Sequence, residues 1–147
     1  MTLDNASTEP PPWSAVLALQ RATHATLQTL SAELADLELT ASEINALANL
    51  ADGHGRTVSE LGAAVGTRPT TLTSVLDRLE RRGHITRGAR PGDRRAVLVE
   101  LTPSGRRTAA RIRQAFTDLE HHALAALPAE TITALRTALQ ALTEVSS

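Results

Sequence analysis

Hydrophobic positions along the chain follow two rhythms, and the points where the rhythm changes mark out the elements. Leu72, Val75, Leu76 and Leu79 recur at spacings of three and four, so the segment after Pro69 predicts a helix with one buried stripe. Leu61, Ala64 and Val65 predict a shorter helix upstream, opened by Thr57 or Ser59, whose hydroxyls suit a free first-turn amide, and closed by Gly66. Thr67 is expected to cap the second helix, with Pro69 in a first turn whose amides lack intrahelical partners anyway. Beyond Gly83 the rhythm becomes alternating or continuous, predicting strands at 84–87 and 96–101 around a tip at 88–95. A third short strand at 56–58 is expected to pair with this hairpin.

The flanks are helical. Val16, Leu17, Leu27, Leu30 and Leu34 predict a long helix from Pro12 to about Ala35, although interspersed alanine and threonine leave its packing seam open. Thr40 with Glu43 makes a capping box, and Leu39 with Ile44 a hydrophobic staple, opening a helix through Leu47 and Leu50. Gly53-His54-Gly55 breaks the chain, with His54 expected in an exposed turn. After the hairpin, Thr102 and Pro103 read as cap and first residue of a helix to about Leu127, lined by Ile112, Phe116, Leu119 and Ala123. Pro128 opens a last helix with Ile132, Leu135, Leu139 and Leu142 on one stripe. Residues 1–11 are polar and proline-ended, and are expected to form a disordered arm.

Two short helices followed by a hairpin are the order of a winged helix-turn-helix. The second helix leaves Arg68, Thr70, Thr71, Ser74, Arg78 and Arg81 off its buried stripe, short hydroxyls and arginines that suit base edges and phosphates of a major groove. The hairpin tip carries Arg90, Arg94 and Arg95 beside Pro91, Gly92 and Asp93, a cationic tip suited to the negative potential of a minor groove.

The run LGAAVGTRPTTLTSVLDRLERRGHITR, followed by GDRRAVLVELTPSG, resembles the MarR family of bacterial transcriptional regulators, which are homodimeric winged-helix proteins. LELTASEINALANL resembles the helix preceding their DNA-binding unit, and the terminal helices resemble their dimerisation layer. The resemblance implies a mainly α fold with a small β-wing: a single domain over 12–147, with a DNA-binding lobe at 40–101 and dimerisation helices at 12–36 and 103–147. It implies that Arg68, Thr70, Thr71, Ser74 and Arg78 face the major groove and that Arg90, Arg94 and Arg95 of the wing face the minor groove. It further implies that Asp93 braces Arg95 or Arg94. A small-molecule effector between the lobe and the dimer layer is implied too, with a lining from the first helix and 40–50. A dimer indifferent to every ligand fits the residues equally well.

Charge sharpens this picture. From Arg56 to Arg113 there are thirteen arginines against five acidic residues, a net of +8, while the rest of the chain nets −9. A basic middle between acidic ends is the footprint of a double-stranded-DNA-contacting module on a non-contacting scaffold. Arg106, Arg107, Arg111 and Arg113 at the start of the fifth helix suit either phosphate contact or a solvated face.

Other chemistries are poorly represented. The chain has no cysteine, which removes disulfides, thiolate zinc sites and thiol redox sensing. His121 and His122 sit about 100° apart on a helix and do not converge, leaving only a metal site assembled across helices or subunits. No paired carboxylates, nucleophile–base set or phosphate-cradling loop appears, so neither an enzyme nor a cofactor is expected. His24 reads as a partly exposed boundary residue. No run approaches the ~20 apolar residues of a membrane span, and a cytoplasmic protein is expected. The expected function is a homodimeric repressor of a pseudo-palindromic operator, with half-site centres about 10 bp apart or a small multiple of that. The alternatives are a winged-helix protein-interaction module and a non-specific DNA-binding protein.

Overall fold

The computed structural model describes residues 13–145, so the arm expected at 1–11 and the proposed start at Pro12 lie outside the described residues. Six helices and a three-stranded sheet follow in the order α1 (Ala15–Glu33), α2 (Ala41–Leu50), β1 (Arg56–Thr57), α3 (Val58–Val65), α4 (Pro69–Arg81), β2 (Ile85–Arg90), β3 (Asp93–Leu101), α5 (Pro103–Leu124) and α6 (Ala129–Glu144). A 3-10 turn at Ala35–Leu37 joins α1 to α2. The fold is mainly helical with a small β-wing, as the periodicity predicts.

Capping chemistry accounts for most boundaries. Ser14 Oγ accepts the Leu17 amide at 3.2 Å and opens α1. Thr40 Oγ1 accepts the Glu43 amide at 3.2 Å while the Glu43 carboxylate accepts the Thr40 amide at 3.4 Å, so the capping box of α2 is closed from both sides. Thr57, not Ser59, caps α3 by accepting the Glu60 amide at 3.1 Å, and Gly66 ends that helix at φ 70°. Thr102 caps α5 with Pro103 following it. Thr67 does not cap α4: Arg68 occupies the cap position without a side-chain bond, and Thr67 Oγ1 is buried with no hydrogen-bond partner among the described residues. With Pro69 at the first helical position, one amide needing a partner is already gone, which relaxes the demand for a cap.

The sheet is antiparallel in the order β1-β3-β2, with Arg56 opposite Val99 and Ile85 opposite Leu101. Both long strands extend further than the hydrophobic pattern predicts, shrinking the tip to Pro91-Gly92 between Arg90 and Asp93. Gly92 takes φ 83°, the conformation required after proline in a tight turn. The extensions carry exposed arginines, and ladder hydrogen bonds need no apolar alternation to form.

One core serves the lobe. Leu47 and Leu50 of α2, Leu61 of α3, Leu76 and Leu79 of α4, Ile85, Val99 and Ile112 are almost fully buried together with Leu34 at the end of α1. The terminal helices differ: Val16, Leu17 and Leu27 on α1, and Leu135 and Leu142 on α6, are exposed in the single chain. On α6, Ile132 and Leu139 are half-buried beside the exposed Leu135 and Leu142, so the stripe predicted for that helix is left largely uncovered in the single chain.

Candidate nucleic-acid interface

Helix α4 buries Leu72, Val75, Leu76 and Leu79 and turns Arg68, Thr70, Thr71, Ser74, Arg78 and Arg81 outward. Part of the outer face is internally bonded. Thr73 Oγ1 donates to the Pro69 carbonyl at 2.9 Å and Ser74 Oγ to the Thr70 carbonyl at 3.4 Å, whereas the hydroxyls of Thr70 and Thr71 make no hydrogen bond among the described residues. Hydroxyls bonded back to i−4 still offer lone pairs outward.

Both acidic residues of α4 are paired. Arg87 on β2 lies 2.7 Å from Asp77 Oδ1 and 3.2 Å from Glu80 Oε1, both on α4. This fork holds the base of the wing against α4 and offsets the two negative charges nearest its outer face. Hydrogen bonding to Arg87 lowers the Glu80 pKa below the ordinary carboxylate value. Arg90 leans back toward Glu60 of α3 at 3.9 Å.

Other arginines are structural. Arg56 pairs with Asp52 through contacts of 2.8 and 3.0 Å, and Arg111 pairs with Asp36 through 2.8 and 3.0 Å, so Arg111 ties α5 to the 3-10 turn rather than standing free. Arg82 donates to the carbonyls of Glu38 at 2.7 Å and Leu37 at 2.9 Å. That clamp grips Glu38 in the left-handed region at φ 53°, a feature nothing in the residue type announces. Among the described residues no carboxylate pairs with Arg68, Arg81, Arg94, Arg95, Arg106, Arg107 or Arg113. Four of these seven lie on α4's outer face or the wing, so the uncompensated positive charge is concentrated there and at the start of α5.

Asp93 accepts the backbone amide of Arg95 at 3.0 Å. It therefore braces the turn into β3 rather than a guanidinium, and both Arg94 and Arg95 remain exposed. A shallow cleft of about 300 Å³ separates this part of the wing from the start of α3, lined by Ser59, Arg90, Asp93 and Arg95 among others.

Residues 37–96, spanning α2, the helix-turn-helix and most of the wing, match the model of the MarR family. Over these residues the winged helix is similar to the MarR family. The lobe is 38% identical over 72 residues to the multiple antibiotic resistance protein MarR of Salmonella typhimurium, covering 49% of this chain and 50% of the relative. It is 36% identical over 89 residues to the HTH-type transcriptional regulator TtmR of Methylorubrum extorquens, covering 60% of this chain and 46% of the relative. The chain thus spans about half the length of the curated relatives it matches. The crystal structure of NadR in complex with 4-hydroxyphenylacetate superposes with a TM-score of 0.84 at 22% identity, covering 94% of this chain and 98% of that one, which establishes the shared fold.

A second concavity lies away from the wing. Thr23, Thr26, Leu27 and Ser31 of α1, Ile44 and Asn45 of α2, and Phe116 of α5 surround a cavity of about 190 Å³. Its walls come from α1, α2 and Phe116 of α5. Phe116, predicted to line the packing side of α5, does pack against the core and also borders this cavity. Asp118 and His122 stand one turn apart on α5 with Glu33 across from them, but Asp118 takes the Gln114 amide at 2.8 Å, and no cluster of three ligating side chains occurs among the described residues. His24 and His54 are exposed. No helix is long and apolar enough to cross a membrane among the described residues.

Proposed function

We propose that the protein is a cytoplasmic, homodimeric, sequence-specific double-stranded-DNA-binding transcriptional repressor. The observation that carries this reading is the exposed face of α4 beside a wing with unpaired arginines, its own acids held by Arg87. Arg68, Thr70, Thr71 and Ser74 lie in or near the first turns of α4, the part of a recognition helix that meets base edges in the major groove, and Arg78 continues the same face along the groove. Arg94 and Arg95, with Arg90 beside them, enter the minor groove or grip its phosphates. Asp93 keeps the turn between them in shape.

Exposed apolar residues on both α1 and α6 support a second copy packing against the terminal helices. A two-fold dimer carries two recognition helices, and its operator is a pseudo-palindrome with half-sites about one helical turn apart or a small multiple of that. The cavity between α1, α2 and α5 supports a small-molecule effector, since it lies where the lobe meets the terminal helices and a relative of the same fold holds 4-hydroxyphenylacetate. The effector relieves repression only by preferring the state that cannot bind DNA. The residues do binding rather than catalytic work.

Selection of sites from a random duplex pool at near-physiological salt tests the reading. Enrichment of an inverted repeat is the expected result. Binding that fades with salt and enriches no sequence would make this a non-specific DNA-binding protein, and no binding at any salt would make it a protein-interaction module.

A further inference from the structure

Glu43 is fully buried, although its position as third residue of α2 asks only for a cap. Glu60 occupies the same position of α3 behind Thr57, and there the side chain stays about half exposed. Capping alone therefore does not call for a buried carboxylate, and an unpaired one would be costly. The partners come from α4: Arg78 Nη2 lies 3.5 Å from Glu43 Oε1, and Arg82 Nη1 lies 3.9 Å from Oε2. Oε2 accepts no hydrogen bond among the described residues, so its compensation is electrostatic. Arg78 and Arg82 are one helical turn apart, and Arg82 is itself anchored on the Leu37 and Glu38 carbonyls. The remaining titratable neighbour is His84, which burial and Arg82 keep below its ordinary pKa and thus neutral at pH 7, so it adds no competing charge.

We propose that Glu43 is a positioning residue for DNA reading: its buried carboxylate fixes the angle of α4 against α2 and aims the half-exposed Arg78 along the recognition face. The proposal rests on the DNA-binding reading above. It explains why a single charged group, among the described residues, is buried in an otherwise apolar wall. Glu43 touches no DNA in this scheme and acts only through the two arginines.

The test compares the full chain with Glu43→Gln, Arg82→Gln and the double variant. Glutamine keeps the volume and the oxygen that caps Thr40, and removes the charge. Two probes are used, the duplex enriched by the unaltered protein and a mixed-sequence duplex of equal length. Glu43→Gln is expected to lose about tenfold in affinity for the enriched duplex while keeping mixed-sequence affinity, salt slope and a cooperative unfolding transition. Arg82→Gln is expected to show the same selective loss, and the double variant to be no worse than either. Should Glu43→Gln fail to fold, Arg82→Gln alone carries the test, because its side chain is partly exposed and its loss leaves the capping box intact. Unchanged affinity for the enriched duplex, equal losses on both duplexes, or additive losses in the double variant would overturn the proposal. Failure of the underlying reading is separate, since the unaltered protein would then enrich no duplex.

Discussion

Arg87 on β2 reaches back 2.7 Å to Asp77 on α4, so the wing and the recognition helix are joined by a charge pair at the base of the hairpin. Glu80 on the next turn completes the fork. One guanidinium does two things: it ties the wing to α4 and, in the proposed DNA-binding reading, neutralises two acids on the side that phosphate approaches. Replacing Arg87 with glutamine is expected to weaken binding to all duplexes by about tenfold at low salt, because two exposed acids then face the DNA. Titration of a labelled mixed-sequence duplex checks this, and unaltered affinity would show that the fork is irrelevant to DNA approach.

The wing arginines answer to a different readout. Arg94→Ala and Arg95→Ala each remove one unpaired charge near phosphate, so each is expected to lower affinity across sequences. Each should also reduce the slope of log affinity against log salt by about one. The same substitutions should leave the thermal transition in place, since neither side chain is buried.

Gly105 is a structural demand hidden inside α5. A Cβ there would collide with the His84 backbone carbonyl, which also accepts the Thr102 amide at 3.0 Å. Gly105→Ala is therefore expected to destabilise the lobe by about 2–4 kcal/mol, read by urea or thermal unfolding. A loss under about 0.5 kcal/mol would mean that α5 shifts freely against the end of α4.

Acid sensitivity follows from the ion pairs. Asp36, Asp52 and Glu80 all have pKa values lowered in the fold, chiefly by hydrogen bonds from Arg111, Arg56 and Arg87. Groups with depressed folded values contribute stability above their unfolded pKa and lose it as pH falls through the folded one, so this part declines below about pH 4. The exposure of these pairs lets salt weaken the effect. His84, lowered mainly by burial, also loses stability on acidification, beginning near its unfolded value of about 6.5. Denaturant unfolding from pH 7 to 3 should show both slopes; Asp36→Asn with Asp52→Asn should flatten the lower one and His84→Gln the upper.

Much of this arrangement is legible in the residues because local rules decide it. The stripe of Leu72, Val75, Leu76 and Leu79, the Thr40–Glu43 capping box, the Thr102-Pro103 start and the β rhythm after Gly83 are each set within a few positions. What is not legible depends on partners far along the chain. Arg82, Arg87 and Arg111 look alike as surface charges in the sequence, yet Arg82 grips two carbonyls 44 and 45 positions away and Arg111 reaches 75 positions back to Asp36. The wing strands run longer than the hydrophobic pattern predicts because arginines occupy positions 90, 94 and 95, where alternation gives no signal. Thr67 follows the cap pattern, but Pro69 shifts the helix start by one residue and leaves its hydroxyl inside.

The central claim is that the first turns of α4 read bases. Site selection run in parallel on the unaltered protein and on Thr71→Asn tests it most directly, since asparagine replaces a short hydroxyl by an amide suited to adenine. The account predicts the same half-site spacing in both, with the preferred base changed at one symmetry-related pair of positions. Identical motifs from the two proteins, or no motif from the unaltered one, would contradict it.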